Sequence, residues 1–460
     1  MTNRAGRMPR LCIAGVLATF PFFTPPPAIA VTPPAVDDSM LPKPGVPAPP
    51  RPTEQQERCV AAPPTSTHTA DAGQLKGLDL QQVWKFTRGA GQTVAVIDTG
   101  VARHRLLPHL VPGGDYVSTG DGTDDCDGHG TVVAGIVGAE PDPDGSTFSG
   151  IAPDATIVSI RQSSNKFRAM EDPSGSGFGD VDTLASAVRT AADMGATVIN
   201  VSSVACLPTG GGLDDRPLGA ALAYAVDVKN VVVVAAAGNV GGPGQCPKQN
   251  PATDPARPGQ PDWDRVSVVV SPAWYDDYVL TVGSVDARGA PSSFSLAGPW
   301  VDVAAPGEGI VSLDPDGEGL VNSLPTSGDP IPISGTSYAA PVVSGVVALV
   351  RSRSPELTAR QVMRRIEETA HRPAAGWDPV VGHGVVDALA AVGGDATTAP
   401  ALDGAQSRPV SYPDAKPTDP RAHQFAFGGA AVSLAVSVAT VAMTASAARL
   451  RRSRDAVARD

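Results

Sequence analysis

The chain has 460 residues, of which 42% are hydrophobic and 18% charged, and its formal net charge is −12. That length exceeds what one core needs and implies a large domain with appendages, while the apolar content excludes a wholly disordered chain. The acidic balance, with no basic block in the central region, argues against nucleic acid as a partner.

At the N-terminus, Arg4, Arg7 and Arg10 precede an apolar run over 11–23, and Ala28 and Ala30 follow in an A-x-A pattern. This layout predicts a secretory signal peptide over 1–30, cleaved after Ala30. Leu11 stands before Cys12 where a lipoprotein signal needs a small residue. Residues 31–82 read as a Pro-rich extension, with ten prolines between Pro33 and Pro64. Such a composition buries too little apolar surface to fold alone.

From 83 to 392 short β-branched runs alternate with Ala-rich stretches. Strands are predicted over 93–97, 156–160, 197–201, 231–236 and 279–285. Helices are predicted over 181–194, 218–228, 336–353 and 358–369. Apolar strands alternating with helices specify an α/β fold whose mostly parallel sheet is covered on both faces. Two Gly/Pro-rich interruptions, 162–180 and 241–274, read as long surface loops.

Residues 393–424 return to linker composition, with five prolines. The stretch 425–448 then contains no charged residue. Its length suffices to cross a hydrocarbon core of about 30 Å. Arg449, Arg451, Arg452 and Arg454 follow it, which predicts a single transmembrane helix with 449–460 as a cytoplasmic tail. The bulk of the chain is then expected outside the cytoplasmic membrane.

Once Cys12 is removed with the signal peptide, Cys59, Cys126, Cys206 and Cys246 remain. An even number in an exported chain points to two disulfides, with three connectivities open, against the alternative of four free buried thiols.

Three motifs carry chemistry. Val96-Ile97-Asp98-Thr99-Gly100 puts a carboxylate at the C-terminal end of a predicted strand, where open α/β sheets build their sites. Asp127-Gly128-His129-Gly130-Thr131 puts a histidine between glycines at a helix start. Ser334-Gly335-Thr336-Ser337-Tyr338-Ala339-Ala340-Pro341 puts a serine at the start of another helix, where the helix dipole meets developing negative charge. Taken singly, these residues read as a turn aspartate, an exposed histidine and an N-cap serine. Together they supply the orienting carboxylate, general base and nucleophile that acyl transfer requires. A fourth motif, Ala235-Ala236-Ala237-Gly238-Asn239, closes a buried strand with an amide able to donate to an oxyanion. The other histidines lack such context.

The order Asp, His, Ser is that of subtilisin, and all four motifs occur in the subtilase order over 83–392. The chain therefore resembles the subtilases. The resemblance implies that Asp98 orients, His129 is the base and then the acid, Ser337 is the nucleophile, and Asn239 with the Ser337 N–H forms the oxyanion hole. Subtilases usually carry Ser-x-Gly at the cleft edge. Here Ser202, Ser203 and Val204 stand there, so a narrower cleft is expected. The 31–82 stretch is also too short and irregular for a folded inhibitory propeptide.

Ile199-Asn200-Val201-Ser202 with Ala205-Cys206, the Cys246 loop with Gln249-Asn250-Pro251, and the C-terminal apolar segment resemble the mycosins, the membrane-anchored proteases of type VII secretion systems. That resemblance implies an extension that wraps the catalytic domain without inhibiting it, and disulfides Cys59–Cys126 and Cys206–Cys246. It also implies limited processing of a secreted protein substrate, and membrane components of the secretion complex as partners that the protease helps hold together. The alternative is a mainly structural subunit with dispensable proteolysis. No cofactor and no metal are expected. The acidic run Asp121-Gly122-Thr123-Asp124-Asp125 reads as a solvated loop rather than a calcium site.

Overall fold

The computed structural model describes residues 31–60, 73–142, 147–172, 174–175, 177–242, 245–251, 254, 256–324 and 331–394. These belong to one compact unit, 1–398. The expected signal peptide, the 425–448 segment and the tail lie outside the described residues, as does the linker beyond 394. Among the described residues no helix is long and apolar enough to cross a membrane.

In chain order, β1 (Thr53–Gln55) lies in the extension and α1 (Leu80–Val83) opens the globular part. There follow β2 (Thr93–Asp98), β3 (Leu110–Asp115), α2 (His129–Gly138), β4 (Thr156–Arg161), β5 (Phe167–Ala169) and α3 (Val181–Asp193). Then come β6 (Val198–Val201), β7 (Ala205–Pro208), α4 (Arg216–Ala223), β8 (Val232–Ala236), β9 (Val268–Ser271), β10 (Leu280–Val285) and β11 (Val303–Pro306). The long α5 (Thr336–Arg353), α6 (Ala359–Thr369) and α7 (Ala388–Gly393) complete the described chain.

Seven strands form one sheet in the order β11-β10-β8-β6-β2-β4-β3. Every neighbouring pair is parallel. Parallel strands covered on both sides must be apolar throughout, and β8 (VVVAA) is buried at every residue. The chain runs from β2 to the edge strand β3, returns through α2 to β4 between them, and then crosses β2 to β6 through α3. The α5 helix packs with α2 and against β6, β8 and β10, whereas α3 packs with α4. The order reverses beside β2, so the C-terminal ends of β2, β6 and β8 border the crevice where such sheets bind ligands.

Each predicted strand and helix is present within one or two residues, except that the 218–228 helix begins at Arg216 and its end, Tyr224–Val228, widens to π geometry. The edge strands β3 and β11 were not among the predicted strands, and two segments expected as loop pair as strands. Within 162–180, β5 pairs antiparallel with β1 of the extension. Within 241–274, β9 pairs antiparallel with β7. These strands are only three or four residues long and are stabilised by partners remote in sequence, so no local period announces them. Packed structure also begins before 83: Leu75, Leu78 and Leu80 are buried in the main core. The disulfides are Cys59–Cys126, with Cα atoms 4.3 Å apart, and Cys206–Cys246, at 5.2 Å. The first fastens the extension beside the loop that precedes α2.

Candidate active site

Asp98 is the last residue of β2 and is fully buried. Its Oδ1 accepts the N–H of Thr99 at 2.8 Å and faces Nδ1 of His129 at 2.7 Å. Its Oδ2 is buried with no hydrogen-bond partner among the described residues. A carboxylate with so few donors relies on the imidazole for compensation.

His129 is the first residue of α2, after Gly128 in the left-handed region (φ 76°). Its ring leans against that of Tyr338, with centroids 5.0 Å apart. The helix start can approach β2 only because residue 130 is glycine. A Cβ there would stand 2.0 Å from the Gly100 carbonyl oxygen and 3.1 Å from Asp98 Cβ. Burial disfavours the imidazolium. The charge of Asp98, its hydrogen bond and the charges of Asp125 and Asp127 outweigh that and hold the His129 pKa above its ordinary value.

The other ring nitrogen, Nε2, lies 3.0 Å from Ser337 Oγ. Ser337 is the second residue of α5, buried at its N-terminal end. Since Nδ1–H donates to Asp98 in the neutral ring, Nε2 is left as acceptor for the serine hydroxyl. The structure thus brings Asp98, His129 and Ser337, expected from three distant motifs, into one hydrogen-bonded line.

Asn239 follows β8. Its side-chain oxygen accepts both the N–H and the hydroxyl of Thr336, at 2.9 and 3.0 Å. Because the backbone N–H can only donate, the amide orientation is fixed. Nδ2 is turned to the space beside Gly335, which Ser337 Oγ also borders. A Cβ at Gly335 would meet these two atoms at 3.4 and 3.1 Å.

The predicted cleft edge divides. Ser203 and Val204 are half-buried, and Val204 packs against two apolar clusters. Ser202 is buried, with its hydroxyl directed at the Ser337 carbonyl. It offers the cleft its backbone alone.

Two residues near the site make contacts there that were not expected of them. Asp125 accepts from Thr99 Oγ1, Gly128 N, Thr131 N and Thr131 Oγ1, all within 2.6–2.8 Å. It binds the turn after Asp98 to the start of α2, so it is a structural acceptor rather than part of a solvated loop. The threonines that flank both motifs were its sequence signal. Tyr338, against His129, is the other. In the same acidic run, Asp121 Oδ1 accepts from Thr123 N and Oγ1. Among the described residues no group of three or more His, Cys, Asp or Glu side chains is placed to hold a metal.

Residues 89–384 match the model of the subtilase family. The chain is 58% identical to Mycosin-4 of Mycobacterium tuberculosis over 98% of both chains. Its fold is similar to the crystal structure of MycP1 from the ESX-1 type VII secretion system, with a TM-score of 0.74 at 43% identity, covering 80% of this chain and 98% of that one. It is likewise similar to a chain of the intact ESX-5 inner membrane complex, with a TM-score of 0.74 at 42% identity, covering 90% of this chain and all of that one. With its subtilase domain and this identity along almost its whole length, the chain belongs to the mycosins, subtilisin-type serine endopeptidases of the subtilase family.

Proposed function

We propose that Ser337, His129 and Asp98 act as the catalytic triad, and that the enzyme cleaves protein substrates by acyl transfer. The observation that carries this reading is the line from Asp98 Oδ1 through His129 to Ser337 Oγ, at 2.7 and 3.0 Å. Ser337 Oγ attacks the scissile carbonyl while Nε2 takes its proton, then returns it to the leaving amine; water repeats the cycle on the acyl-enzyme. Asp98 holds the ring in the required tautomer and stabilises the imidazolium. The negative charge on the tetrahedral oxygen is met by Asn239 Nδ2 and by the N–H of Ser337 at the α5 N-terminus. The backbone of 202–204, beyond β6, borders the substrate cleft.

The enzyme works outside the cytoplasmic membrane, held by a helix over 425–448, and trims substrates of a type VII secretion system. The likeness to chains of the ESX-5 periplasmic assembly and inner membrane complex supports this placement. The same likeness favours a second role, as a subunit that holds the complex together.

A fluorophosphonate probe tests the chemistry. It should label the protein, and Ser337→Ala should abolish labelling; equal labelling of both would remove Ser337 as nucleophile. Complementation of a deletion strain by Ser337→Ala separates the roles. Restored complex assembly without substrate cleavage is expected if both coexist, and lost assembly would make the structural role depend on catalysis.

A further inference from the structure

Pro341 stands inside α5, four residues after Ser337. A helical carbonyl accepts from the N–H four residues on. Proline has no N–H, and its ring crowds the carbonyl it cannot bond. The carbonyl of Ser337 is therefore deprived of its helical donor by the sequence itself. A buried carbonyl left so would be costly, and it belongs to the residue whose Oγ must be held against His129.

The replacement comes from the sheet. Ser202 Oγ lies 2.9 Å from the Ser337 carbonyl oxygen and can only donate to it. Having given up its single hydrogen, Ser202 must accept from Asn200 Nδ2, at 2.9 Å. The Asn200 oxygen then faces Ser344 Oγ, which donates at 2.8 Å. Every direction in this chain follows from the one before, and all of it is buried: Asn200 and Ser344 are 0% exposed and Ser202 6%. Ser344 lies seven residues after Ser337, two helical turns away and on the same face of α5. The relay leaves α5, passes through β6 and returns to α5 at the nucleophile.

We propose that Asn200, Ser202 and Ser344 are positioning residues for Ser337, fixing a stretch of backbone that Pro341 releases from the helical ladder. This rests on the reading of Ser337 as nucleophile. Both the direction of Oγ and the N–H offered to the oxyanion depend on that backbone, so a small displacement affects the reacting state more than binding.

The test is a cycle of Ser202→Ala and Pro341→Ala in the full chain, with fluorophosphonate as the probe. In that reaction Ser337 Oγ displaces fluoride from phosphorus, and the hydroxyl proton passes to His129. Ser202→Ala should lower the maximal labelling rate roughly ten- to a hundred-fold, with little change in half-saturating probe concentration or in the pH midpoint. Pro341→Ala returns an N–H to the helix, so in that background the same substitution should cost only about three-fold or less. An equal loss in both backgrounds, or none in either, would overturn the proposal. Asn200→Asp keeps the volume but turns the Ser202 hydroxyl toward a carboxylate; it should reproduce the loss, and wild-type labelling by it would count against the relay. A wild type that is not labelled at all would instead overturn the catalytic reading.

Discussion

The side-chain oxygen of Asn239 accepts the N–H of Thr336 at 2.9 Å, so the residue just before the nucleophile dictates which face of the amide looks into the site. With the Thr336 hydroxyl also bonded to that oxygen, the amide cannot turn over without leaving two donors unpaired.

Asn239→Ala should therefore remove one oxyanion donor, and with it the acceptor of the Thr336 N–H and hydroxyl. The expected outcome is a fall in kcat of about 10²–10³-fold with KM little changed. Steady-state kinetics on a cleaved peptide decides it. An equal rise in KM would mean that Asn239 binds the ground state as well.

Proton transfer sets the pH dependence. Burial lowers the His129 pKa, but the Asp98 charge and hydrogen bond, with Asp125 and Asp127, hold it above the ordinary 6.5. The base must be neutral, so labelling of Ser337 should rise with pH through a midpoint above 6.5. Asp127 bonds to Ser164 and to the N–H of Asn165, outside the line of three. Asp127→Asn should therefore move the midpoint down by removing a charge, without abolishing labelling. A pH–rate profile of both proteins measures this, and an upward move would contradict the assigned electrostatics.

The sheet and the site were legible to different degrees. Buried parallel strands such as β8 announce themselves by composition, and Asp98, His129 and Ser337 by motifs that demand special backbone: glycines at 130 and 335, a helix start, a strand end. What the sequence hid depends on partners far along the chain. The β1–β5 pair joins residues over a hundred positions apart. Ser202 was assigned to the cleft from its place in a motif, whereas its side chain answers to Pro341, which no local pattern links to it.

Arg161, opposite Asp98 in the sheet register, offers a stability prediction. Its side chain is 2% exposed, and its ion pair with Asp115 spans 3.4 Å. The guanidinium also lies over the ring of Phe167, 4.6 Å from its centroid. Nε and Nη2 have no hydrogen-bond partner among the described residues. Asp115→Ala leaves this charge buried and alone, at an expected cost of about 3–5 kcal/mol. Replacing both residues, Arg161→Met with Asp115→Leu, should cost less than Asp115→Ala. Urea titrations of wild type and both variants provide the comparison, and a double variant less stable than the single one would contradict an unpaired Arg161 charge as the source of the cost.

The last prediction concerns three half-buried carboxylates, Asp276, Asp302 and Glu367. Burial and the charges of Asp277 and Glu367 push Asp276 up to about 7. Burial with Asp276 and Glu367 raises Asp302 well above the carboxylate range. Burial and Glu368 raise Glu367 against the pull of Arg364. Groups with raised folded-state pKa values bind more protons folded than unfolded, so stability falls as pH rises from about 4 through those values. The folded protein should accordingly lose stability between pH 5 and pH 8. Asp302→Asn removes one charge while its side-chain oxygen still accepts the N–H of Thr281, at 2.6 Å in the wild type. It should raise the midpoint at pH 8 by a few degrees, change it little at pH 5, and flatten the profile between them. Thermal melts across that range supply the measurement. A profile equally steep with and without the Asp302 charge would mean that the loss of stability comes from elsewhere in the fold.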